Sequence, residues 1–362
     1  MRILLFGEFS GFFNCLKDGL IALGHDVFLA SNGDGYRDYP SDFRWDNHMR
    51  KYLGKASMVY NLANVLAHKK ILSGFDVVLL IGPHNISKLP ILNKPAYNML
   101  IENNNKVFLS GCGDTEIMYN FWFNSNTKYH EYYEGYNIDL PGKYGNSLSA
   151  LKWEEELMNR IDGYIPIWYE YAEPYRKYPC IKKTIRIPIN ISQHSYKENV
   201  IKNGKVVFYH GMTRACKGTR FIQPAFEKMQ EKYKDQADFI CAGTLPFEEY
   251  MKVVERTNVI VDDANSFSIA MNGLFSLAKG KLIMGGAEPV ANKELGIEGV
   301  NPVFNICPNV DQICSVIEDI MKNKDNIPEM GQKGRKFVES YHNHINIAQQ
   351  YVDIFNEELN KN

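Results

Sequence analysis

The sequence predicts an α/β protein with two domains, each built on a parallel β-sheet covered by helices. Three observations lead to this prediction. The chain has 362 residues, which is more than one compact core usually holds. Short, uninterrupted apolar segments alternate with segments of helical spacing, which is typical of parallel sheets. The same alternation begins again at residue 204.

The first thirty residues show the pattern most clearly. Residues 2–6, RILLF, form an apolar strand, and residues 7–11, GEFSG, form a loop. A helix follows, whose apolar side chains share one side, and Gly24 is its expected end. Those side chains belong to Phe13, Leu16, Leu20 and Leu23. Further strands are expected at residues 25–31, 75–82 and 105–111.

The second half repeats this order of strand and helix. Strands are expected at 204–211, 237–243, 258–264 and 281–286, and helices at 219–233, 246–257 and 272–280. Pro224 should bend the first of these helices or mark its first turn. We therefore expect two Rossmann-like domains that face each other across a cleft. The N-terminal domain would span 1–193 and the C-terminal domain 194–344, and a final helix at about 345–362 would pack back on the first.

Composition excludes several functional classes. The net charge of −1 gives no global basic field for nucleic acid. No segment approaches the ~18–20 apolar residues of a transmembrane helix. The first residues lack the apolar core and the small-residue cleavage site of a signal peptide, and they fit a strand that enters a loop. The seven cysteines form no CxxC motif and do not cluster with histidine at zinc spacing, so we expect a reduced, cytoplasmic protein.

An aromatic-rich segment, residues 119–146, separates the two halves. Its aromatic side chains follow neither strand nor helix spacing. Packing on the first domain explains them, and so does a platform for a sugar or lipid acceptor.

The loop after the first strand of the second half carries two cations, Arg214 and Lys217, within VVFYHGMTRACKGTRF. Open α/β sheets bind ligands at this point, where a strand ends and a helix begins. The helix N-terminus adds amide donors and partial positive charge, while Gly211 and Gly218 permit close approach of the backbone. These features predict an anion site, most naturally for a diphosphate, although solvated loop charges have the same pattern.

A second helix start supports the anion site. The segment DDANSFSIAMNGLF passes from a strand end through a polar loop into a helix, which Ser266, Ser268 or Asn272 could cap. Because both loops follow strands of one parallel sheet, they should face the same edge of that sheet.

Three segments together resemble a known family. HGMTRACKGTRFIQPAF, NGLFSLAKGKLIMGG and MGQKGRKFVESYHNHINIAQQYVDIF, in that order, resemble the retaining GT-B glycosyltransferases of the glycogen-synthase and mannosyltransferase type. The resemblance is closest to bacterial capsule and O-antigen transferases. It implies that Arg214 and Lys217 hold the diphosphate of a nucleotide-sugar donor and stabilise the leaving group. Met212 stands where that family commonly has the arginine.

Two departures from the family are clear. Its paired glutamates fall at Phe267 and Phe275 here, so Asp262, Asp263 or Ser266 would have to hold the ribose. The family histidine after the strand at 105–111 is also missing. Asp114 is the polar residue nearest that position, although it could instead cap the next helix, and His84 is the other candidate, although it could be an ordinary hydrogen-bonded loop histidine.

The positions of polar residues at strand ends, together with the resemblance, lead us to expect the following site. The catalytic residues are Arg214, Lys217 and Asp114. The donor is bound by His210, Gly211, Gly243, Thr244, Asp263, Ser266, Ser268, Ala270, Met271, Asn272 and Glu288. The acceptor is bound by Glu8, Ser10, Gly11 and His84. His342 and His344 fall on different helix faces, so no metal is expected, and the donor is a substrate rather than a cofactor.

The expected function is transfer of a hexose from a nucleotide sugar to a glycan or lipid-linked acceptor, without metal, in surface polysaccharide synthesis. The resemblance implies that the transfer retains the configuration of the sugar. Nucleic acid is not an expected partner, and peripheral contact with the inner face of a membrane is left open. Two alternatives remain: a degenerate GT-B protein that binds sugar or nucleotide without catalysis, and a nucleotide-sugar epimerase.

Overall fold

The computed structural model describes residues 1–87, 89–129, 147–212, 214–243 and 247–361. The chain divides into two compact units. The first contains Met1–Asn120, Gly145–Asn190 and His342–Asn362, and the second contains Phe121–Tyr144 and Ile191–Tyr341. Each unit has its own parallel sheet and its own hydrophobic core.

The first unit is built on a parallel sheet with the strand order β3-β2-β1-β4-β5-β6. Its strands are β1 (Arg2–Phe6), β2 (Asp26–Ser31), β3 (Phe43–Arg44), β4 (Val77–Leu80), β5 (Lys106–Gly111) and β6 (Gly163–Pro166). The central strands are buried on both faces, which explains why β1 and β4 are continuous apolar segments. Phe6 is the centre of one face of the core, stacked on Trp45 with ring centroids 4.6 Å apart.

Helices connect these strands and cover both faces of the sheet. They are α1 (Phe12–Ala22), α2 (Arg50–Leu53), α3 (Ser57–Ala67), α4 (Pro90–Glu102), α5 (Glu116–Phe123), α6 (Leu148–Met158), α7 (Tyr169–Ala172) and, at the end of the chain, α14 (His344–Leu359). Gly24 has a φ of +84°, and it follows the last residues of α1 as the sequence predicts.

The second unit is built on a parallel sheet with the order β11-β10-β9-β7-β8. Its strands are β7 (Val206–Gly211), β8 (Ala237–Ala242), β9 (Val259–Val261), β10 (Leu282–Gly285) and β11 (Phe304–Asn305). Its helices are α8 (Thr219–Lys232), α9 (Phe247–Arg256), α10 (Met271–Ala278), α11 (Pro289–Glu294), α12 (Val310–Lys322) and α13 (Ile327–Tyr341). The predicted α/β class with two parallel sheets is confirmed. Pro224 lies inside α8 rather than in its first turn.

The last helix, α14, packs against α1 within the first unit. Its apolar stripe is buried, and Phe355 packs on Phe108 of β5 with ring centroids 4.9 Å apart. The contact with α1 is very close at Gly19. A Cβ atom at this glycine would lie 2.3 Å from the carbonyl oxygen of His344 and 2.8 Å from the Cβ of Ala348. The two helices therefore require a residue without a side chain at this point.

We expect the Gly19→Ala variant to be less stable than the native protein by about 1–3 kcal/mol, because the added methyl group must displace backbone. The same substitution normally stabilises a helix by ~1 kcal/mol, so a loss is diagnostic of the helix contact. Urea unfolding measures it. Gly299→Ala is the control, since its Cβ would lie 3.5 Å from the nearest atom, the hydroxyl oxygen of Tyr341. Equal stability of Gly19→Ala and native protein would contradict this packing.

Candidate functional site

The loop between β7 and α8 lies at a switch point of the second sheet. β7 pairs with β8 on one side and with β9 on the other. The chain passes from β7 through α8 to β8 on one side of β7, and then from β8 through α9 to β9 on the other side of β7. Ligand crevices of open α/β sheets form at the carboxyl end of such a strand. Gly211 is the last residue of this strand, and Arg214 and Lys217 lie in the loop that follows it.

The turn into α8 depends on Gly218. Its φ of +77° is in the left-handed region, and a Cβ there would lie 3.0 Å from the Cβ of Ala264. The loop after β7 is thus packed on the loop after β9. Two hydrogen bonds join them: the amide of Ala264 donates to the Lys217 carbonyl at 3.2 Å, and Asn265 Nδ2 donates to the Cys216 carbonyl at 2.8 Å.

Asn265 is a residue of this site that the sequence analysis missed. It is buried, and its side chain holds the turn that carries Lys217. Asn265 follows a strand, two aspartates and an alanine, which is a common loop composition, so the signal for this role in the sequence is weak.

Lys217 makes an ion pair with Asp262. Its Nζ lies 2.7 Å from Asp262 Oδ1, and both side chains are largely buried, at 24% and 11% exposure. The carboxylate of Asp262 raises the pKa of Lys217 and outweighs the opposite effect of burial. The lysine is therefore a fixed positive charge, oriented by the loop after β9.

Asp263 is the second carboxylate at this point. Burial raises its pKa to about 7, and the charge on Asp262 adds to that effect, while Lys217 and Arg214 oppose it. Arg214 is therefore close enough to Asp263 to act on its charge. The structure brings together Arg214, Lys217, Asp262 and Asp263, so two cations face two carboxylates of which one titrates near neutral pH.

His210 lies within β7 and is fully buried. Its Nδ1 is 2.9 Å from the Val261 carbonyl oxygen and its Nε2 is 2.9 Å from Thr219 Oγ1. Burial lowers its pKa, so the ring is neutral. These bonds join β7 to β9 and to the start of α8. Contact of His210 with a donor stays a prediction.

The start of α10 differs from the sequence prediction. Ala270 is the N-cap residue, and no side chain caps the helix there. The predicted cap by Ser266, Ser268 or Asn272 is therefore wrong. Ser266 Oγ instead donates to the Ser268 carbonyl at 2.7 Å, and Asn272 is already inside the helix.

The two phenylalanines at the family's glutamate positions are packed against other rings. Phe267 contacts Trp122 and Tyr129, with ring centroids 5.3 Å and 4.6 Å apart. Phe275 contacts the ring of His194 at 4.4 Å. Burial lowers the pKa of His194 to about 4, so this ring is neutral. Aromatic packing thus occupies both positions.

Residues 121–129 of the aromatic-rich segment belong to the second unit, while Tyr119 and Asn120 belong to the first. The interpretation that its aromatic side chains pack on the first domain is wrong for Trp122 and Tyr129, because Phe267 offers them an apolar partner in the second unit. Residues 130–146 of this segment lie outside the described residues.

Glu288, at the N-cap of α11, is held by the same segment. Its Oε1 accepts hydrogen bonds from Lys128 Nζ at 2.8 Å, Tyr129 OH at 2.8 Å and Asn305 Nδ2 at 2.9 Å. Burial alone would raise its pKa, but these three bonds outweigh it and the pKa is lowered. Glu288 is therefore an oriented, ionised carboxylate. Lys128 and Tyr129 were not predicted as part of this group.

Two predicted donor residues follow β8. Gly243 directly follows this strand and is exposed. Thr244 lies outside the described residues.

In the first unit, hydrogen bonds of Glu8 and Ser10 hold the loop after β1. Glu8 is buried, and its carboxylate accepts bonds from the amides of Phe13 at 3.3 Å and Asn14 at 2.9 Å. Glu8 thus occupies the anion-binding start of α1, and burial raises its pKa. Ser10 Oγ accepts from Arg37 Nη1 at 2.8 Å, and Gly11, with φ +86°, is the N-cap of α1.

His84 and the loop after β5 are connected through Glu154 of α6. His84 Nε2 lies 2.8 Å from Glu154 Oε1, and the same carboxylate accepts from the amides of Glu116 and Ile117 at 3.0 Å and 2.9 Å. Glu154 is buried, and its signal in the sequence is only a glutamate on the apolar side of a helix.

Asp114 lies directly before this helix start, α5. The side-chain hydroxyl of Thr115 accepts from the amide of Met118 at 3.1 Å. Thr115 and Glu154 thus both accept from amides at the start of α5, and the role of Asp114 as a catalytic residue or a cap stays a prediction.

The described residues contain neither a cluster of metal ligands nor a helix that could span a membrane. Within the ranges that the structure describes, no three His, Cys, Asp or Glu side chains group as metal ligands. In the same ranges, no helix has both the length and the apolar character needed to cross a bilayer.

Solved structures share the fold at low sequence identity. Sucrose-phosphate synthase from Thermosynechococcus elongatus is 12% identical, with a TM-score of 0.66 and coverage of 99% of both chains. Anabaena HepE, solved with UDP and glucose, is 11% identical, with a TM-score of 0.61 and coverage of 99% of this chain and 100% of HepE. A glycosyltransferase from Rickettsia africae is 12% identical, with a TM-score of 0.57 over 100% of this chain and 99% of its own.

These likenesses establish the fold: an α/β chain with two parallel sheets, as in the GT-B glycosyltransferases. No protein-family model matches the chain. No curated protein matches it by sequence.

Proposed function

We propose that this protein is a glycosyltransferase that transfers a sugar from a nucleoside diphosphate donor to a hydroxyl group of a glycan or lipid-linked acceptor. The observation that carries the proposal is the Arg214 and Lys217 pair at the carboxyl end of β7. The fold supports it, since HepE, solved with UDP and glucose, has the same fold.

In this proposal the two cations serve the leaving group. Negative charge grows on the departing diphosphate as the bond to the sugar breaks, and fixed positive charges stabilise that state without reorganisation. Lys217 is suited to this role because Asp262 and the loop after β9 orient its side chain. Transfer with retention, without metal, in capsule or O-antigen synthesis, belongs to the same proposal through the family resemblance.

We assign acceptor binding to the carboxyl edge of the first sheet, with Glu8, Ser10, Gly11, His84 and Asp114 as its candidate residues. The His84–Glu154 contact supports this, because the carboxylate fixes the orientation of the imidazole ring. The proposal includes peripheral contact with the inner face of a membrane for a lipid-linked acceptor.

A degenerate, non-catalytic protein is the second candidate. Phe267 and Phe275 favour it, because both family glutamate positions are filled by packed aromatic rings.

Calorimetry with a panel of UDP-, GDP- and dTDP-sugars, followed by an assay for nucleoside diphosphate release, tests the proposal. We expect at least one donor to bind and to be turned over. Binding without turnover, in the presence of membrane or glycan acceptors, would favour the degenerate protein. No binding of any donor would overturn the assignment of a donor site.

We expect the donor that binds in this panel to bind more tightly at about pH 6 than at about pH 8, by roughly fivefold. Asp263 has a pKa of about 7, so it gains a proton as the pH falls and one negative charge leaves the site. A nucleotide sugar does not change its own charge over this range, so the change in affinity reports on the protein. Calorimetry at both pH values measures the effect.

Asp263→Asn is the control for this pH dependence. It should bind the donor with the same affinity at both pH values, close to the affinity of the native protein at the lower pH. Native protein whose donor affinity is equal at both pH values would contradict the role given to Asp263.

A further inference from the structure

The first unit carries a group of exposed apolar side chains around the start of α3. Their exposed fractions are high for such residues: Tyr52 73%, Leu53 38%, Val59 59%, Leu89 50% and Ile91 76%. Lys51 and Lys55, which flank Tyr52 and Leu53 along the chain, are exposed as well. We call these seven residues the basic–apolar surface.

Two short connections bring the members together. α2 leads into α3 through the single turn Gly54–Ala56, which places Tyr52 and Leu53 beside the first turn of α3. Ser87 Oγ lies 3.1 Å from Met58 Sδ, so the segment before α4 lies against the same turn. Leu89 and Ile91 follow directly on that segment. The exposed side chains are therefore one surface and not scattered singly, as exposed apolar residues usually are.

Charge is distributed unevenly along the chain in a way that singles out this region. Residues 47–59, which lead into and begin α3, contain three Lys or Arg and no acidic residue, while the whole chain has a net charge of −1. Among the described residues, neither Lys51 nor Lys55 has a carboxylate oxygen within 4.0 Å. The surface is therefore positive without internal compensation.

Its position follows from the parallel sheet. α3 leads into β4, and α4 follows β4, so both helices begin at the carboxyl end of the strands. Glu8, His84 and Asp114 follow β1, β4 and β5 at that same edge. The basic–apolar surface thus lies at the edge of the first unit to which we assigned acceptor binding.

We propose that the basic–apolar surface docks this protein on an anionic lipid bilayer, with the lysines at the phosphate headgroups and the apolar side chains among the upper acyl chains. The inference rests on the proposed function only for its purpose, which is to present a lipid-linked acceptor to the carboxyl edge of the first sheet. An anionic bilayer offers the two chemistries together, since headgroup charge attracts lysine and the interior accepts leucine, isoleucine and tyrosine.

Flotation with lipid vesicles tests the inference on the full-length protein. We expect the native protein to float with phosphatidylcholine–phosphatidylglycerol vesicles at low salt and to remain behind with pure phosphatidylcholine. Each lysine near an anionic surface contributes ~1 kcal/mol, so Lys51→Glu/Lys55→Glu should bind at least ~30-fold more weakly. Ile91→Glu should bind at least ~10-fold more weakly, because it can no longer insert.

Matched controls lie in the second unit. Val300→Glu replaces an apolar residue that is 94% exposed, and Lys234→Glu/Lys252→Glu reverses two exposed lysines. Both should float like the native protein. Native protein that does not float with anionic vesicles, or surface variants that float as well as the controls, would overturn the inference. Concentration-dependent dimers that Ile91→Glu abolishes, without vesicle binding, would reassign the surface to a second copy and overturn it too.

Donor calorimetry on the same variants separates this inference from the proposed function. The surface variants should bind the nucleotide sugar like the native protein, because the donor residues belong to the second unit. Vesicle binding without donor binding would leave the docking surface standing and remove the transferase. Donor binding without vesicle binding would leave the proposed transferase standing and overturn the docking surface.

Discussion

Replacing Arg214 with alanine should lower kcat/KM for donor turnover by about 2–4 kcal/mol of transition-state stabilisation, roughly 30- to 1000-fold. The guanidinium group is one of the two cations in the loop after β7 whose charges act on Asp263, the other being Lys217. Its removal takes away positive charge where negative charge grows on the departing diphosphate. Steady-state release of the nucleoside diphosphate, with water as the acceptor if no other is known, measures the loss.

The decline should fall mainly on kcat, because the charge on the leaving group develops in the transition state. Arg256→Ala is the matched control: it removes an arginine at the end of α9, away from the loop after β7, and should leave turnover unchanged. Turnover in Arg214→Ala equal to that of the control would remove the role assigned to Arg214.

The Lys217→Met substitution should affect both stability and donor binding. Removing one partner of a largely buried ion pair leaves Asp262 without its counter-charge, which should lower the free energy of unfolding by about 2–4 kcal/mol. Donor affinity should fall with it, because the second cation of the diphosphate site is gone. Urea unfolding and donor calorimetry measure the two effects separately.

The double variant Lys217→Met/Asp262→Asn distinguishes a structural lysine from a donor-binding one. Both charges of the Lys217–Asp262 ion pair are absent from this variant, so most of the stability lost in Lys217→Met should return. Donor affinity should stay low, because no cation has been restored. If the double variant instead recovered the native affinity for the donor, Lys217 would serve only to hold the loop.

Local sequence patterns predicted the elements that surround the site. Four of these elements are β1, α1, β7 and α8. In each, the spacing of the apolar residues and the residues at the ends indicate the same kind of element, so neighbouring residues suffice to define it. β3 and β11 were not predicted, because each has two residues and depends on pairing with a neighbouring strand.

Contacts across the fold could not be predicted in the same way. The side chain of Asn265 donates to the Cys216 carbonyl, 49 residues away along the chain. Glu154 contacts His84, 70 residues away, and joins it to the start of α5. The cap of α10 was predicted from serines near its start, but Ser266 bonds to the Ser268 carbonyl instead. A hydroxyl group has several possible partners, and the local loop conformation selects among them.

The sequence by itself determined the α/β class, the two parallel sheets and a loop with two cations where a strand meets a helix, because hydrophobic period and residue type act over a few neighbours. The tertiary structure alone decided which charges face each other. Asp262 and Asp263 meet Arg214 and Lys217 only because the sheet places β9 beside β7. Electrostatic interaction depends on distance in space and burial, and neither is contained in the spacing of residues along the chain.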